Sequence, residues 1–260
     1  MPPRPGSASA CAWVSDIPGR GESGPMNKAP MPLILLPGLL CTDALWRAQV
    51  AGLADVARIA VTAEHTRHTD IGAIAAAILA AAPPRFALAG LSFGGYIAFE
   101  IMRRAAHRVD RLALLDTTAN ADPEARGKLR REMIKQAQMG RFLGVTDRLL
   151  PQFIHPDRLD DQILVNEIKD MALAVGRDGF IRQQTAIIGR PDSRRDLAGI
   201  DCPTLVLVGR QDLLTPLARH EEMQAAIPGA KLSVIEDCGH LSTMERPEQV
   251  NQALRDWLAR

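Results

Sequence analysis

The sequence predicts an α/β fold: a mostly parallel sheet with helices on both faces and a helical segment inserted into it. Three observations carry this reading. Short continuous apolar runs recur along the chain, each followed by a helical stretch, as in strands buried on both faces. Between about Thr117 and Asp196 that rhythm stops, and a long, charged, helical stretch without a strong strand takes its place. The chain has 260 residues, 47% of them hydrophobic, which suits one large domain with a substantial core.

The elements follow in order. PLILL (Pro32–Leu36) reads as a buried strand ended by Pro37-Gly38, and VARIAVTA (Val56–Ala63) as a second strand. DIGAIAAAILAAA opens on an N-capping residue, Asp70, and stops at Pro83-Pro84, so it reads as a helix. RFALAG is a strand, the stretch from Ser92 to Arg108 a helix, and RLALLD (Arg111–Asp116) a strand. EARGKLRREMIKQAQMGRFLG and DDQILVNEIKDMALAVG are the helices of the insertion. TLVLVG (Thr204–Gly209) and KLSVIE (Lys231–Glu236) are strands, each followed by a helix, PLARHEEMQAAIP and RPEQVNQALRDWLAR.

The expected organisation is a disordered N-terminal extension over residues 1–30, a core formed by 31–117 with 197–260, and a helical lid over 118–196. The extension is expected from its Pro, Gly and Ser content and its lack of any helix or strand period. Met26 and Met31 precede the regular pattern and are candidate natural start sites.

The formal net charge is +1, which argues against a dedicated nucleic-acid binder. No stretch approaches the length of a transmembrane helix, so no membrane partner is expected. The four cysteines, Cys11, Cys41, Cys202 and Cys238, are scattered without a CxxC pair, which fits a reducing compartment and a cytoplasmic protein.

Gly90-Leu91-Ser92-Phe93-Gly94 is a G-x-S-x-G between a predicted strand and a predicted helix. The chain must reverse within a few residues there, forcing the serine into an unfavourable backbone conformation that exposes its hydroxyl at a helix N-terminus. A serine hydroxyl is a poor nucleophile unless a histidine takes its proton and a carboxylate orients the histidine. Asp212 lies three residues past TLVLVG, and His240 lies in the loop after the last strand. Both fall beyond carboxyl ends of strands, on the edge that carries Ser92. Asp116, at the end of RLALLD, is the competing acid and is otherwise expected to cap the entry to the lid or to support the site by hydrogen bonds. Asp237 is expected to point elsewhere.

LLPGLL, LAGLSFGGYIAFE, GRQDLLTP and CGHLSTMERPEQV together resemble the α/β-hydrolase superfamily, from about Met31 to the C-terminus. The nearest look is to small bacterial carboxylesterases, enol-lactonases and acyl-ester hydrolases. The resemblance implies Ser92, Asp212 and His240 as a catalytic triad. It implies an oxyanion hole from the backbone N–H of Phe93 and of Leu39, with Leu40 left open as the second donor. Many members carry His-Gly where this chain has Pro37-Gly38. The fold usually opens with a β-hairpin that residues 1–31 do not show, so one or two strands fewer are expected. The implied reaction is hydrolysis of an ester, lactone or thioester through an acyl-enzyme, on a small-molecule acyl substrate, with no cofactor and no metal. The same fold also hosts C–C hydrolases, lyases and cofactor-free peroxidases, and a non-catalytic receptor is the remaining alternative.

His65, His68 and Asp70 are expected in a solvated loop rather than around a metal. His107, His155 and His220 are expected at the surface. Cys41 and Cys238, near the oxyanion loop and His240, are expected to pack in the core, with lining of the pocket as the alternative. Arg126–Lys135 reads as a solvated helix face or as a docking site for an acidic substrate. Met133, Met139, Phe142 and Phe153 are candidates for an acyl pocket.

Overall fold

A computed structural model of the chain describes residues 30–260. The extension and start sites considered above lie outside them, apart from Pro30 and Met31. Strands β1 (Met31–Leu36), β2 (Ala57–Val61), β3 (Phe86–Leu91), β4 (Val109–Leu115), β5 (Thr204–Gly209) and β6 (Lys231–Ile235) form one sheet in the order β2-β1-β3-β4-β5-β6. Every pairing among them is parallel.

Alternate strand residues serve opposite faces. Leu33, Leu35, Leu205 and Leu207 point to the side covered by α1 (Arg47–Gly52) and α8 (Pro247–Leu258). Ile34, Leu36, Leu114 and Val206 point to the side covered by α2 (Ile71–Ala81), α3 (Phe93–Ala105) and α6 (Leu217–Ala226). Both faces are apolar, which is why the strands read as continuous hydrophobic runs. Local signals set the helix ends. Asp70 caps α2 by accepting from the N–H of Ala73 at 2.8 Å, and Pro247 starts α8. Trp257 of α8 is fully buried and donates its indole N–H to the Pro203 carbonyl at 3.1 Å, so the last helix is pinned to the start of β5. Truncating such a side chain to Ala costs about 3–5 kcal/mol.

Between β4 and β5 run α4 (Glu124–Gln138) and α5 (Gln162–Ile188), with no strand among them. Gly176, at φ 68° and ψ 178°, breaks α5 into two limbs. Phe142 and Phe180 stack at 5.4 Å between ring centroids, tying the α4–α5 connection to the second limb. The strand order places a topological switch point between β1 and β3: the chain leaves β1 to one side for β2 and returns to its other side for β3. Ligands bind outside the carboxyl ends of strands at such a point. Gly38 to Cys41 follow β1 there, and Ser92 follows β3.

Candidate active site

Ser92 sits between β3 and α3 with φ 55° and ψ −113°, a strained conformation for a residue with a side chain. The turn leaves no room for ordinary residues beside it. A Cβ on Gly90 would lie 2.4 Å from the Gly94 carbonyl oxygen, and one on Gly94 would lie 2.0 Å from that of Leu36. The strain is held from both sides. Ser92 donates its N–H to the Leu115 carbonyl at 3.0 Å, and its own carbonyl accepts from Thr117 Oγ1 at 2.8 Å.

Ser92 Oγ lies 2.9 Å from His240 Nε2, and His240 Nδ1 lies 2.8 Å from Asp212 Oδ2. Asp212 is itself fastened within the DLLT turn. Its Oδ1 accepts from the N–H groups of Leu214 and Thr215 at 2.8 and 2.9 Å, and its Oδ2 accepts from Thr215 Oγ1 at 2.6 Å. Burial alone would neutralise both groups. For Asp212 it pushes the pKa up, but the charge and hydrogen bond of His240 outweigh it and the carboxyl ends below its usual range. For His240 burial pushes the pKa down, but Asp212, with Asp116 and Glu245 behind it, holds the imidazole above its usual range. An imidazole so placed can draw the proton from Ser92 while its other nitrogen stays bonded to a carboxylate.

The remaining predicted positions separate. Leu40 has φ 61° and donates its N–H to Gln183 Oε1 at 3.1 Å. Phe93 heads α3, where first-turn N–H groups lack an intrahelical acceptor. Asp116 is fully buried, accepts from Gly209 N–H at 2.9 Å and from the Ser242 hydroxyl, and makes no hydrogen bond to His240. Burial, and then the charge of Asp212, push its pKa well up. Asp237 is exposed. Burial pushes the Cys41 thiol up to about 12, although Cys41 lines the site.

Two histidines depart from expectation. His220 is fully buried rather than at the surface: its Nε2 accepts from Thr117 N–H at 3.0 Å. His65 is turned inward rather than solvated, and its Nε2–H donates to the Cys41 carbonyl at 2.9 Å. A short polar segment hid both, because only their distant partners bring them inside. His68 faces Glu64, His107 is exposed and His155 is half-buried.

Sequence reasoning also missed Glu245. Its buried carboxylate accepts from the N–H groups of Gly239, Leu241 and His155, at 3.1, 3.2 and 2.7 Å. It thereby frames the loop that presents His240. It ends α7 (Ser242–Glu245), five positions after the histidine, the one signal that could have marked it.

A cavity of about 720 Å³ opens over Ser92 and His240. Leu39, Phe93 and Tyr96 line it from the core, and Met133, Phe142 and Phe153 from the segment between β4 and β5.

Fold and site together define an α/β hydrolase. The alpha/beta hydrolase family model matches residues 7–253, and the chain belongs to that family. A relative from Klebsiella pneumoniae subsp. pneumoniae, provisionally named carbamate hydrolase RutD, is 26% identical over 90% of this chain and 96% of its own. A thermophilic esterase from Thermogutta terrifontis, solved with malate bound, superposes with a TM-score of 0.81 at 30% identity, covering 88% of this chain and 89% of its own. The enol-lactonase from Burkholderia xenovorans LB400 shares the fold, with a TM-score of 0.80 at 24% identity over 91% of this chain and 94% of its own. The chain is a hydrolase of this fold, and no helix among its described residues is long and apolar enough to cross a membrane.

Proposed function

We propose that the protein is a serine hydrolase that cleaves a carboxylic ester or a related acyl bond. The observation that carries this reading is the unbroken line from Ser92 Oγ through His240 to Asp212, at 2.9 and 2.8 Å, on the floor of a largely apolar cavity. Ser92 attacks the carbonyl carbon while His240 Nε2 takes its proton. Asp212 holds the Nδ1–H tautomer and stabilises the imidazolium. His240 then protonates the departing alcohol or thiol, and water, activated by the same imidazole, releases the acid and regenerates Ser92.

The oxyanion is held by the N–H groups of Phe93 and Leu39. Leu39 is preferred to Leu40 because Gln183 already takes the Leu40 N–H. Residues 118–196 act as a lid, a role supported by Met133, Phe142 and Phe153 lining the cavity from that segment.

The test is a p-nitrophenyl ester series of increasing acyl length. Wild-type protein hydrolyses it, and Ser92→Ala lowers kcat by about 10⁴-fold or more. Undiminished turnover by Ser92→Ala would overturn the assignment.

A further inference from the structure

The mouth of the cavity carries positive charge that no carboxylate among the described residues fully balances. Four arginines line the cavity, Arg126, Arg130, Arg141 and Arg148, against a single carboxylate, Glu132. Arg130 is committed to Asp122. The other three pair with no carboxylate: Arg141 donates to the Gln136 side chain at 3.0 Å, and Arg126 and Arg148 have no side-chain partner among the described residues. Many other arginines are matched by a carboxylate, as in Arg103–Glu100, Arg190–Asp122, Arg210–Glu236 and Arg255–Asp55, or, like Arg108, Arg111, Arg182 and Arg246, are taken up by backbone carbonyls. The same mouth exposes apolar surface, with Leu129 60% and Leu143 74% exposed. An occupant that satisfies both features is amphipathic: an apolar chain followed by an anion.

We infer that the guanidinium groups of Arg126, Arg141 and Arg148, which have no carboxylate partner among the described residues, form a subsite for a carboxylate or phosphate carried by the acyl substrate, remote from its scissile carbonyl. A guanidinium suits either anion because its N–H groups match two oxygens at once. The inference rests on the hydrolase reading above and names the substrate class of that site.

The experiment compares mono-p-nitrophenyl suberate, which ends in a carboxylate, with its neutral methyl ester of equal length. Octanoyl-coenzyme A supplies the phosphate arm. Wild type should favour the anionic esters in kcat/KM. The exposed substitutions Arg126→Gln, Arg141→Gln and Arg148→Gln, combined, should remove at least about tenfold of that preference through KM. The neutral ester should change less than about twofold, and about 0.5 M salt should weaken the preference in the wild type. Dependence on the arginines for suberate alone assigns a carboxylate, and for the thioester alone a phosphate. Equal kcat/KM for charged and neutral esters in the wild type, or equal loss of both in the variant, overturns the subsite. If no ester is hydrolysed, the hydrolase reading fails and the subsite is judged by calorimetry on Ser92→Ala protein. Binding of suberate or coenzyme A that the arginine substitutions abolish sustains it, and arginine-independent binding or none sinks it.

Discussion

Leu40 gives its backbone N–H to the side-chain oxygen of Gln183, 143 positions away in sequence. The bond fixes the loop after β1 against the second limb of α5 while Leu40 holds a left-handed φ of 61°. Gln183→Leu should strand that N–H and let the loop relax. An unsatisfied buried donor costs about 1–3 kcal/mol. The expected result is a fall in kcat of about tenfold or more, with KM little changed, because the proposed oxyanion donor moves and the cavity does not. Weaker inhibition by a boronic acid, which mimics the tetrahedral intermediate, should accompany it. Unchanged boronate affinity would count against Leu39 as the donor.

The two buried aspartates are separable by substitution. Asp212→Asn should lower kcat by about 10⁴, because the imidazole loses the partner that selects its tautomer. Asp116→Asn keeps an acceptor for the Gly209 N–H and removes a carboxyl whose ionisation burial and Asp212 already oppose. Its turnover should stay within a few-fold of wild type. Steady-state kinetics of the pair decides between the two candidate acids, and a reversed order would move the role to Asp116.

The pH profile follows from His240. The imidazole must be unprotonated to take the Ser92 proton, and its pKa is raised above 6.5. The acid limb of kcat/KM should therefore rise at a pH above 6.5. Asp212 is the principal group raising it, so in Asp212→Asn the residual activity should show that limb displaced to lower pH.

Stability should respond to acid through two other histidines. Burial lowers both His65 and His220 to about 4 from 6.5. The unfolded chain takes up these protons near 6.5 and the folded chain refuses them until about 4, so stability is present above 6.5 and lost as the pH falls through that window. Each contributes on the order of 3 kcal/mol to the loss. Urea midpoints between pH 7 and 4 should show it, and His220→Gln should flatten the slope.

The turn at Ser92 sets a steric limit. Gly94→Ala puts a methyl group 2.0 Å from the Leu36 carbonyl oxygen, between α3 and β1, and should cost more than about 4 kcal/mol or prevent folding. Gly199→Ala, with nothing within 4 Å of the new carbon, should melt within a degree or two of wild type. Thermal unfolding of both variants checks the contrast.

Strand β5 occupies the residues expected of it, Thr204–Gly209, because a fully buried parallel strand writes itself as an unbroken apolar run. The residues brought together at the site were legible for a related reason: Ser92, Asp212 and His240 each follow a strand within a short motif, so chain order placed them on one edge. What was not legible depends on distant partners. The second limb of α5 went unmarked because Gln183 and Gln184, polar by type, are buried and reverse the expected pattern. Glu245 and His220 look like surface residues until Gly239 and Thr117 are seen to donate to them.

Glu245 also takes the N–H of His155, and the Phe153 carbonyl takes those of His240 and Leu241 at 2.9 and 3.1 Å. The inserted segment is thus stitched to the histidine loop at 153–155. These bonds join the histidine loop to residues 153–155 and not to α4. The insertion is therefore not an interchangeable module: a replacement drawn from another hydrolase would have to carry its own seam, or the loop that presents His240 would lose the backbone acceptor at Phe153 and keep only the grip of Glu245 and Asp212.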